Sequence, residues 1–519
     1  MNVDTGTAHA LGSARTLWSL LARRAALTPH RPVLLQDDRV LTFGQLHNRA
    51  ERVAAGLYDM GVRPGTVVAW QLPTRLETAI LSFALARLGA VQSPVIPFYR
   101  DREVGFALRE SKAEFFAVPG VWRGFDYGAM ARRLGAKGVF EAYDSLPDGD
   151  PRGLTVFPPA DGTSVRWIYW TSGTTSDPKG VLHTDRSLIA GGSCLAHALR
   201  LTASDVGSMA FPYAHIAGPD YTVMLLLYGF PAVMFEQFAL PDALEGYRRH
   251  GVTVAGGSTA FYSMFLAEQR KQPGVPVIPS LRLLAGGGAP KPPEVYHSVV
   301  REMGVQLTHG YGMTEVPMIT MGAPDDTVEN LATTEGRPPE GMEIRVVDGE
   351  VRLRGEAVCQ GYLDPAQTAE AFDADGFLRT GDLGFLTGSG HLVLTGRLKD
   401  VIIRKGENIS AKEIEDLLHT HPGVGDVAVI GLPDAERGEL VCAVVEQAEQ
   451  AAEDGELTLA ALTSYLRSEG LSVHKLPERL EVVDALPRNE TLRKVLKYKL
   501  RERYAEPSSA PVSESGTVK

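Results

Sequence analysis

The chain has 519 residues, 44% of them hydrophobic and 22% charged, which excludes a disordered or fibrous protein. This length exceeds what one hydrophobic core usually organises, so at least two domains are expected. Lys and Arg number 52 against 63 Asp and Glu, a formal charge of −11, so nothing in the overall charge favours coating nucleic acid, although a local basic pocket for a phosphorylated ligand is allowed.

The three cysteines, Cys194, Cys359 and Cys442, are odd in number, far apart and without C-x-x-C spacing. A disulfide framework or a structural zinc site is therefore not expected. Residues 1–13 lack the apolar centre of a signal peptide, and the apolar stretch around residues 224–235 is broken by Gly229 and Pro231. That stretch is also shorter than the roughly 20 residues needed to span a bilayer. The expectation is a soluble, cytoplasmic protein with no membrane span.

In chain order, Thr42 and Gln45 have capping-box spacing, and Leu46, Ala50, Val53 and Leu57 follow on one helical face. A Pro64-Gly65 turn, a strand-like run over residues 66–70 and a helical pattern over residues 77–88 come next. This alternation predicts open α/β sheets, whose ligands sit beyond the strand C-termini. From about residue 341 the segments become short and glycine-punctuated. Asp348-Gly349, between two apolar runs, is a hairpin signal, and a barrel or small antiparallel sheet fits. After residues 396–400, Ser410 and Glu413 again have capping-box spacing, ahead of Ile414, Leu417 and Leu418 and a strand at residues 427–430. The pattern predicts a separate α+β domain ending in a polar, disordered tail at residues 505–519.

The chemistry concentrates in a few stretches. Residues 171–180 read Thr171-Ser172-Gly173-Thr174-Thr175-Ser176-Asp177-Pro178-Lys179-Gly180, after the apolar run Trp167-Ile168-Tyr169-Trp170. Glycines that turn N–H groups inward, hydroxyl donors and a lysine are the parts needed to hold a polyphosphate. The order Lys-Gly differs from a Walker loop, and a plain flexible Ser/Thr/Gly loop is the competing reading. In His309-Gly310-Tyr311-Gly312-Met313-Thr314-Glu315 an aromatic ring could stack on a base and a carboxylate could hold Mg²⁺. Gly286, Gly287 and Gly288 close a strand pattern and would admit a flat ligand. Asp382 suits a ribose diol and Arg397 a phosphate oxygen, though both could serve ordinary turns and a surface ion pair.

In this order and at these separations, the motifs resemble those of the adenylate-forming (AMP-binding) enzymes, over about residues 42–500. Within them the chain most resembles acyl-CoA synthetases of the medium-chain or cyclohexanecarboxylate type. The resemblance implies an α/β fold: a large N-terminal domain of two doubly wound sheets plus a small β-barrel, residues 1–396, and a mobile C-terminal α+β lid domain, residues 397–504. It implies ATP, Mg²⁺ and coenzyme A as cofactors. Thr171, Ser172, Gly173, Thr174, Thr175 and Lys179 would cradle the β- and γ-phosphates, Tyr311 would stack on adenine beside Gly287 and Gly288, and Thr314 would meet the α-phosphate. Glu315 would ligate Mg²⁺, and Asp382 would hold the ribose with Arg397 nearby. Lys399 would be the hinge of a domain rotation, after which Gly406 would line a pantetheine tunnel.

Two positions depart from a simple match. His215, in Phe211-Pro212-Tyr213-Ala214-His215-Ile216-Ala217-Gly218, falls in the acyl-pocket segment, near the carboxylate or as a gate, with a structural histidine as the alternative. The family's late Pro-[Arg/Lys]-x-x-x-Gly-Lys pattern reads here Pro487-Arg488-Asn489-Glu490-Thr491-Leu492-Arg493-Lys494, without the glycine and one residue longer. Lys494 is the match for the adenylation lysine, Arg493 the fallback and a solvated basic helix the alternative.

A histidine at position 215, where amino-acid-activating relatives place an aspartate, disfavours a free amino acid, with Asp220 as a reservation. The apolar character of residues 209–228 suits an apolar medium-chain, alicyclic or aromatic acid. The expected activity is an acid–thiol ligase forming an acyl-adenylate and then an acyl-CoA. A stand-alone enzyme loading a carrier protein is the alternative, and a catalytically inactive nucleotide-binding protein the third reading.

Overall fold

The computed structural model describes residues 11, 13–171, 178–434, 436–448, 457–489 and 493–505. The described chain falls into two compact units: residues up to 380 with 384–394 and the segment ending at Lys494, and residues 381–383 and 395–489 with the segment from Val495 on.

In the larger unit a six-stranded sheet runs Gly180–Thr184, Val165–Trp170, Val91–Pro94, Val67–Trp70, Phe115–Val118, Val139–Glu141. Its neighbours are parallel except for the edge strand Gly180–Thr184, which is antiparallel to Val165–Trp170. Helix Leu76–Leu88 connects two of the parallel strands, is buried on every side and ends at Gly89 with φ +69°, a left-handed cap that suits glycine. Thr42 caps helix Phe43–Asp59, with both hydrogen bonds of the box to Gln45 formed, as its sequence predicts.

Two further four-stranded sheets follow. One is ordered Gly207–Met209, Ala232–Met234, Pro32–Gln36, Arg39–Thr42, and the other Val254–Gly257, Leu283–Gly287, Gln306–Met313, Val316–Met321. In each, three strands are parallel and the last is antiparallel. They join where Thr253 N donates to Val206 O at 2.8 Å. The region expected to form a small β-barrel is the sheet Met342–Val347, Glu350–Gly355, Leu378–Leu386, Leu392–Arg397. Its first hairpin turns at Asp348 and Gly349, with φ +50° and +81°, the geometry the Asp-Gly pair predicts.

The smaller unit is α+β. Its sheet runs Glu407–Ser410, Val401–Arg404, Gly438–Gln447, Val424–Asp434, with Arg479–Val483 parallel to Gly438–Gln447. Alternation along the central strands separates two faces. Val427, Val429, Val441 and Ala443 pack with Ile414, Leu418, Leu462 and Leu466 of helices Ala411–Leu418 and Leu459–Ser468. Ala428, Ile430, Cys442 and Val444 pack with Leu500 and Tyr504 of helix Lys497–Tyr504. Ser410 caps Ala411–Leu418 by accepting from Glu413 N, but the return half of the expected capping box does not form, because the Glu413 carboxylate pairs instead with Lys475 at 2.7 Å. All three cysteines are free. Among the described residues no helix is long and apolar enough to cross a membrane.

One buried charge secures the helix Ala217–Tyr228. Arg24, fully buried, donates through Nε to Leu226 O and through Nη2 to Leu227 O, taking up carbonyls that the helix end leaves without partners. Burial pulls its pKa down to about 10, so it stays charged at neutral pH. Arg24→Met should leave those carbonyls unsatisfied and cost about 1–3 kcal/mol, read as a lower urea midpoint for the larger unit. Arg24→Lys, which keeps the charge but loses the planar fork, should recover only part of it.

Candidate active site

The strands Val254–Gly257, Leu283–Gly287 and Gln306–Met313 are parallel neighbours, and their C-terminal ends open onto a cavity of about 180 Å³. This is where an open α/β sheet places its ligands. Glycines make the strand ends bare. A Cβ on Gly256 would stand 2.0 Å from Ala285 O, one on Gly287 2.4 Å from Gly310 O, and one on Gly310 2.6 Å from Thr320 O. No side chain fits at these positions, so backbone itself faces the cavity. Gly287, Gly288, Tyr311 and Thr314, expected to surround a nucleotide, all line it.

The turn after Tyr311 is held from one side. His183, on the edge strand Gly180–Thr184, is fully buried; its Nδ1 lies 2.9 Å from Ser187 Oγ and its Nε2 2.8 Å from Thr314 O. Burial pushes its pKa down to about 4, so it is neutral and its Nε2–H donates to the Thr314 carbonyl. Cys359 N donates to Glu315 O at 2.8 Å, and Tyr362 OH donates to Glu315 Oε1 at 2.8 Å. Burial and the neighbouring Glu315 raise the Tyr362 pKa above its ordinary value, so the phenol remains a donor.

Tyr362 also faces Lys179. Lys179 Nζ lies 5.1 Å from its ring centre, a cation–π distance. The base of the hydroxyl-rich loop closes through Thr171 N to Lys179 O at 3.0 Å and Lys179 N to Thr171 Oγ1 at 3.2 Å. Ser172, Gly173, Thr174 and Thr175 lie outside the described residues.

His215 and Lys494 line the same cavity. His215 Nδ1 accepts from Ala217 N at 3.2 Å, leaving its proton on Nε2. Burial, and then the charge of Lys494, push its pKa down to about 3. Arg493, the fallback, is exposed and does not line the cavity. Glu315, one buried carboxylate oriented by a phenol, fits Mg²⁺, an ion that takes one or two protein carboxylates and draws its other ligands from phosphates and water. Among the described residues no cluster of three or more His, Cys, Asp or Glu could hold a metal unaided.

In the smaller unit, Arg397 Nε pairs with Asp382 Oδ1 at 2.7 Å, and Asp382 is buried. Lys399 lies in the single turn Leu398–Asp400. Lys405 and Gly406, at φ +51° and +83°, form a two-residue hairpin turn. Arg404 beside them is held by Glu478 at 2.6 Å. Sequence motifs did not point to His183, Tyr362 or Cys359. The only local signal was that His183 follows the loop by a few residues, and Tyr362 becomes adjacent through the bridge between it and Val181.

Comparison with known proteins gives a consistent picture. The family model described as AMP-binding enzyme matches residues 21–363, and that described as AMP-binding enzyme C-terminal domain matches residues 413–492. The salicyl-AMP ligase / salicyl-S-ArCP synthetase of Mycobacterium tuberculosis is 33% identical over 92% of this chain and 88% of its own. The medium-chain fatty-acid–CoA ligase of Escherichia coli is 30% identical over 89% and 85%. Among solved structures, ATP-bound MatB from Rhodopseudomonas palustris superposes with a TM-score of 0.83 at 28% identity, covering 94% of this chain and 99% of that one. The o-succinylbenzoate CoA synthetase MenE of Bacillus subtilis, holding its acyl-adenylate, gives 0.80 at 27%, covering 94% and 98%.

The buried neutral His183 carries a pH signature. Unfolded, it takes a proton near its ordinary value of 6.5; folded, it resists protonation until about pH 4. Between those values the unfolded chain binds the extra proton, so stability falls as pH drops, by up to about 1.4 kcal/mol per pH unit. Urea unfolding of His183→Asn at pH 7, 6 and 5 should show a flatter decline than the unsubstituted chain; identical slopes would contradict the assignment.

Proposed function

The chain belongs to the AMP-binding enzyme family, and on that premise we propose that it is an ATP-dependent carboxylic acid–CoA ligase. The observation that supports this most is the convergence of bare strand ends, Tyr311, Thr314, His215 and Lys494 on one cavity. A carboxylate oxygen forms a bond to the α-phosphorus of ATP while the bond to the β-phosphate bridge breaks and pyrophosphate departs. A thiolate then attacks the acyl carbonyl carbon, the carbon–oxygen bond to phosphate breaks, and AMP leaves. Positioning and charge stabilisation supply most of the acceleration for such a transfer.

In this reading Tyr311 stacks on adenine beside Gly287 and Gly288, Thr314 meets the α-phosphate, and Thr171, Ser172, Gly173, Thr174, Thr175 and Lys179 hold the outer phosphates. Mg²⁺, held by Glu315, would neutralise phosphate charge. Lys494 offsets the negative charge that develops as the acid attacks, and neutral His215 flanks the carboxylate without adding a second cation. Asp382, with Arg397, holds the ribose. Residues 1–396 act as the adenylation domain and 397–504 as a lid that turns at Lys399 and brings Gly406 to the pantetheine. A cytoplasmic location is consistent with three free cysteines. The acid is apolar in its main body, of the medium-chain, alicyclic or aromatic kind. A carrier-protein thiol is the second reading for the acceptor, favoured by the likeness to a synthetase named for loading one.

Pyrophosphate release over a panel of acids, followed by transfer to coenzyme A or to a carrier-protein thiol, tests both readings. Lys494→Ala should slow adenylation at least about 100-fold while sparing thioester formation from preformed acyl-adenylate. Equal loss in both half-reactions would remove Lys494 from the first step.

A further inference from the structure

Two helices that line the cavity are gripped at their far ends by a third, from the start of the chain. Helix Asp185–Ala198 reaches the cavity through Leu195, and helix Ala217–Tyr228 through Ala217, Tyr221 and Met224. Midway along, the two meet through backbone: a Cβ on Gly192 would stand 2.6 Å from Asp220 O. Asp185, Leu226 and Leu227 lie outside the cavity lining, and each meets helix Leu17–Leu27. The buried carboxyl of Asp185 accepts from Leu17 N through Oδ2 at 3.1 Å and from Trp167 Nε1 through Oδ1 at 3.0 Å. Two turns on, about 10 Å along the helix, Arg24 donates to Leu226 O and Leu227 O. Leu17 N and those carbonyls are helix-end groups that no intrahelical bond satisfies. A shift of any of the three helices would leave one of them unpaired in the interior, so these contacts fix position more sharply than the apolar packing around them.

Resting on the ligase reading, we infer that Arg24, together with Asp185, is a positioning residue for the acid: helix Leu17–Leu27 clasps the rear of the helix pair and so sets the gap at the end that receives the acid's body. Neither Arg24 nor Asp185 lines the cavity. The nucleotide contacts proposed above, Gly287, Gly288, Tyr311 and Thr314, come instead from strands Leu283–Gly287 and Gln306–Met313 and the turns after them. Loosening the clasp therefore weakens use of the acid and spares ATP. A helix pair freed at its rear moves at its front about the contact at Gly192, and a small displacement caused far from the chemistry is enough to slow a reaction.

The test uses the full-length enzyme, Mg·ATP and the best-used acid of a panel that includes octanoate, cyclohexanecarboxylate and benzoate. Acid-dependent pyrophosphate release is followed at a temperature where thermal scans show every variant folded. In Arg24→Met the kcat/KM for the acid should fall at least about tenfold, while the KM for Mg·ATP stays within about twofold. Arg24→Lys, which keeps a charged donor, should recover part of the loss. Asp185→Asn, whose one side-chain oxygen replaces two acceptors, should show the same split at about threefold, and it carries the test should Arg24→Met not fold. Acid kinetics unchanged in the folded variants, or equal losses toward the acid and Mg·ATP, would overturn the inference and leave the ligase reading standing. Failure of every acid in the panel to stimulate pyrophosphate release by the unsubstituted enzyme would instead overturn the ligase reading, and this inference with it.

Discussion

The geometry of the site depends on how the Thr314–Glu315 turn is held. A turn after a strand end has few internal restraints, yet Thr314 O, Glu315 O and Glu315 Oε1 each accept a hydrogen bond, from His183, Cys359 and Tyr362. All three donors come from the edge of the six-stranded sheet and the segment bridged to it, where Leu182 N donates to Gly361 O and Leu363 N to Gly180 O. The same edge strand begins where the hydroxyl-rich loop ends. The loop's lysine and the turn's carboxylate therefore share one support, Tyr362, which touches both. A shared, buried support keeps these opposite charges at a fixed separation without a direct salt bridge that would neutralise them.

The second constraint is the closeness of the strand ends. Where Gly256, Gly287 and Gly310 approach neighbouring carbonyls, backbone replaces side chain as the cavity lining. Behind them the strands are anchored by buried aliphatic residues, Leu283, Leu284 and Leu307, so the bare ends rest on a packed base. Helix Ala217–Tyr228 supplies the opposite wall, and its end is fixed by Arg24 from the start of the chain. A cavity assembled from fixed strand ends and a fixed helix has a definite shape before any ligand arrives.

Much of this was legible in the sequence because the signals were local. The Thr42–Gln45 box, the Asp348-Gly349 turn and the Ser410 cap each act over a few residues, and each forms as its chemistry requires. The motifs holding Gly287, Tyr311, Thr314 and Lys494 also stood out, and these residues meet at one cavity. The supporting residues did not stand out. His183 acts on a residue 131 positions away, and Tyr362 on one 47 positions away, through sheet pairing that no short window contains. The roles of Asp382, Lys399 and Gly406 rest on family resemblance, while their local geometry is an ion pair, a single turn and a hairpin turn.

The proposed Mg·ATP chemistry needs Tyr362 to hold Glu315 in place, through the hydrogen bond from its phenol to Oε1. A Mg²⁺ titration of acid-dependent ATP–pyrophosphate exchange in Tyr362→Phe, beside the unsubstituted enzyme, tests it most directly. Losing the phenol's hydrogen bond should raise the half-saturating Mg²⁺ concentration about 10- to 100-fold. An unchanged Mg²⁺ requirement with exchange intact would contradict the account.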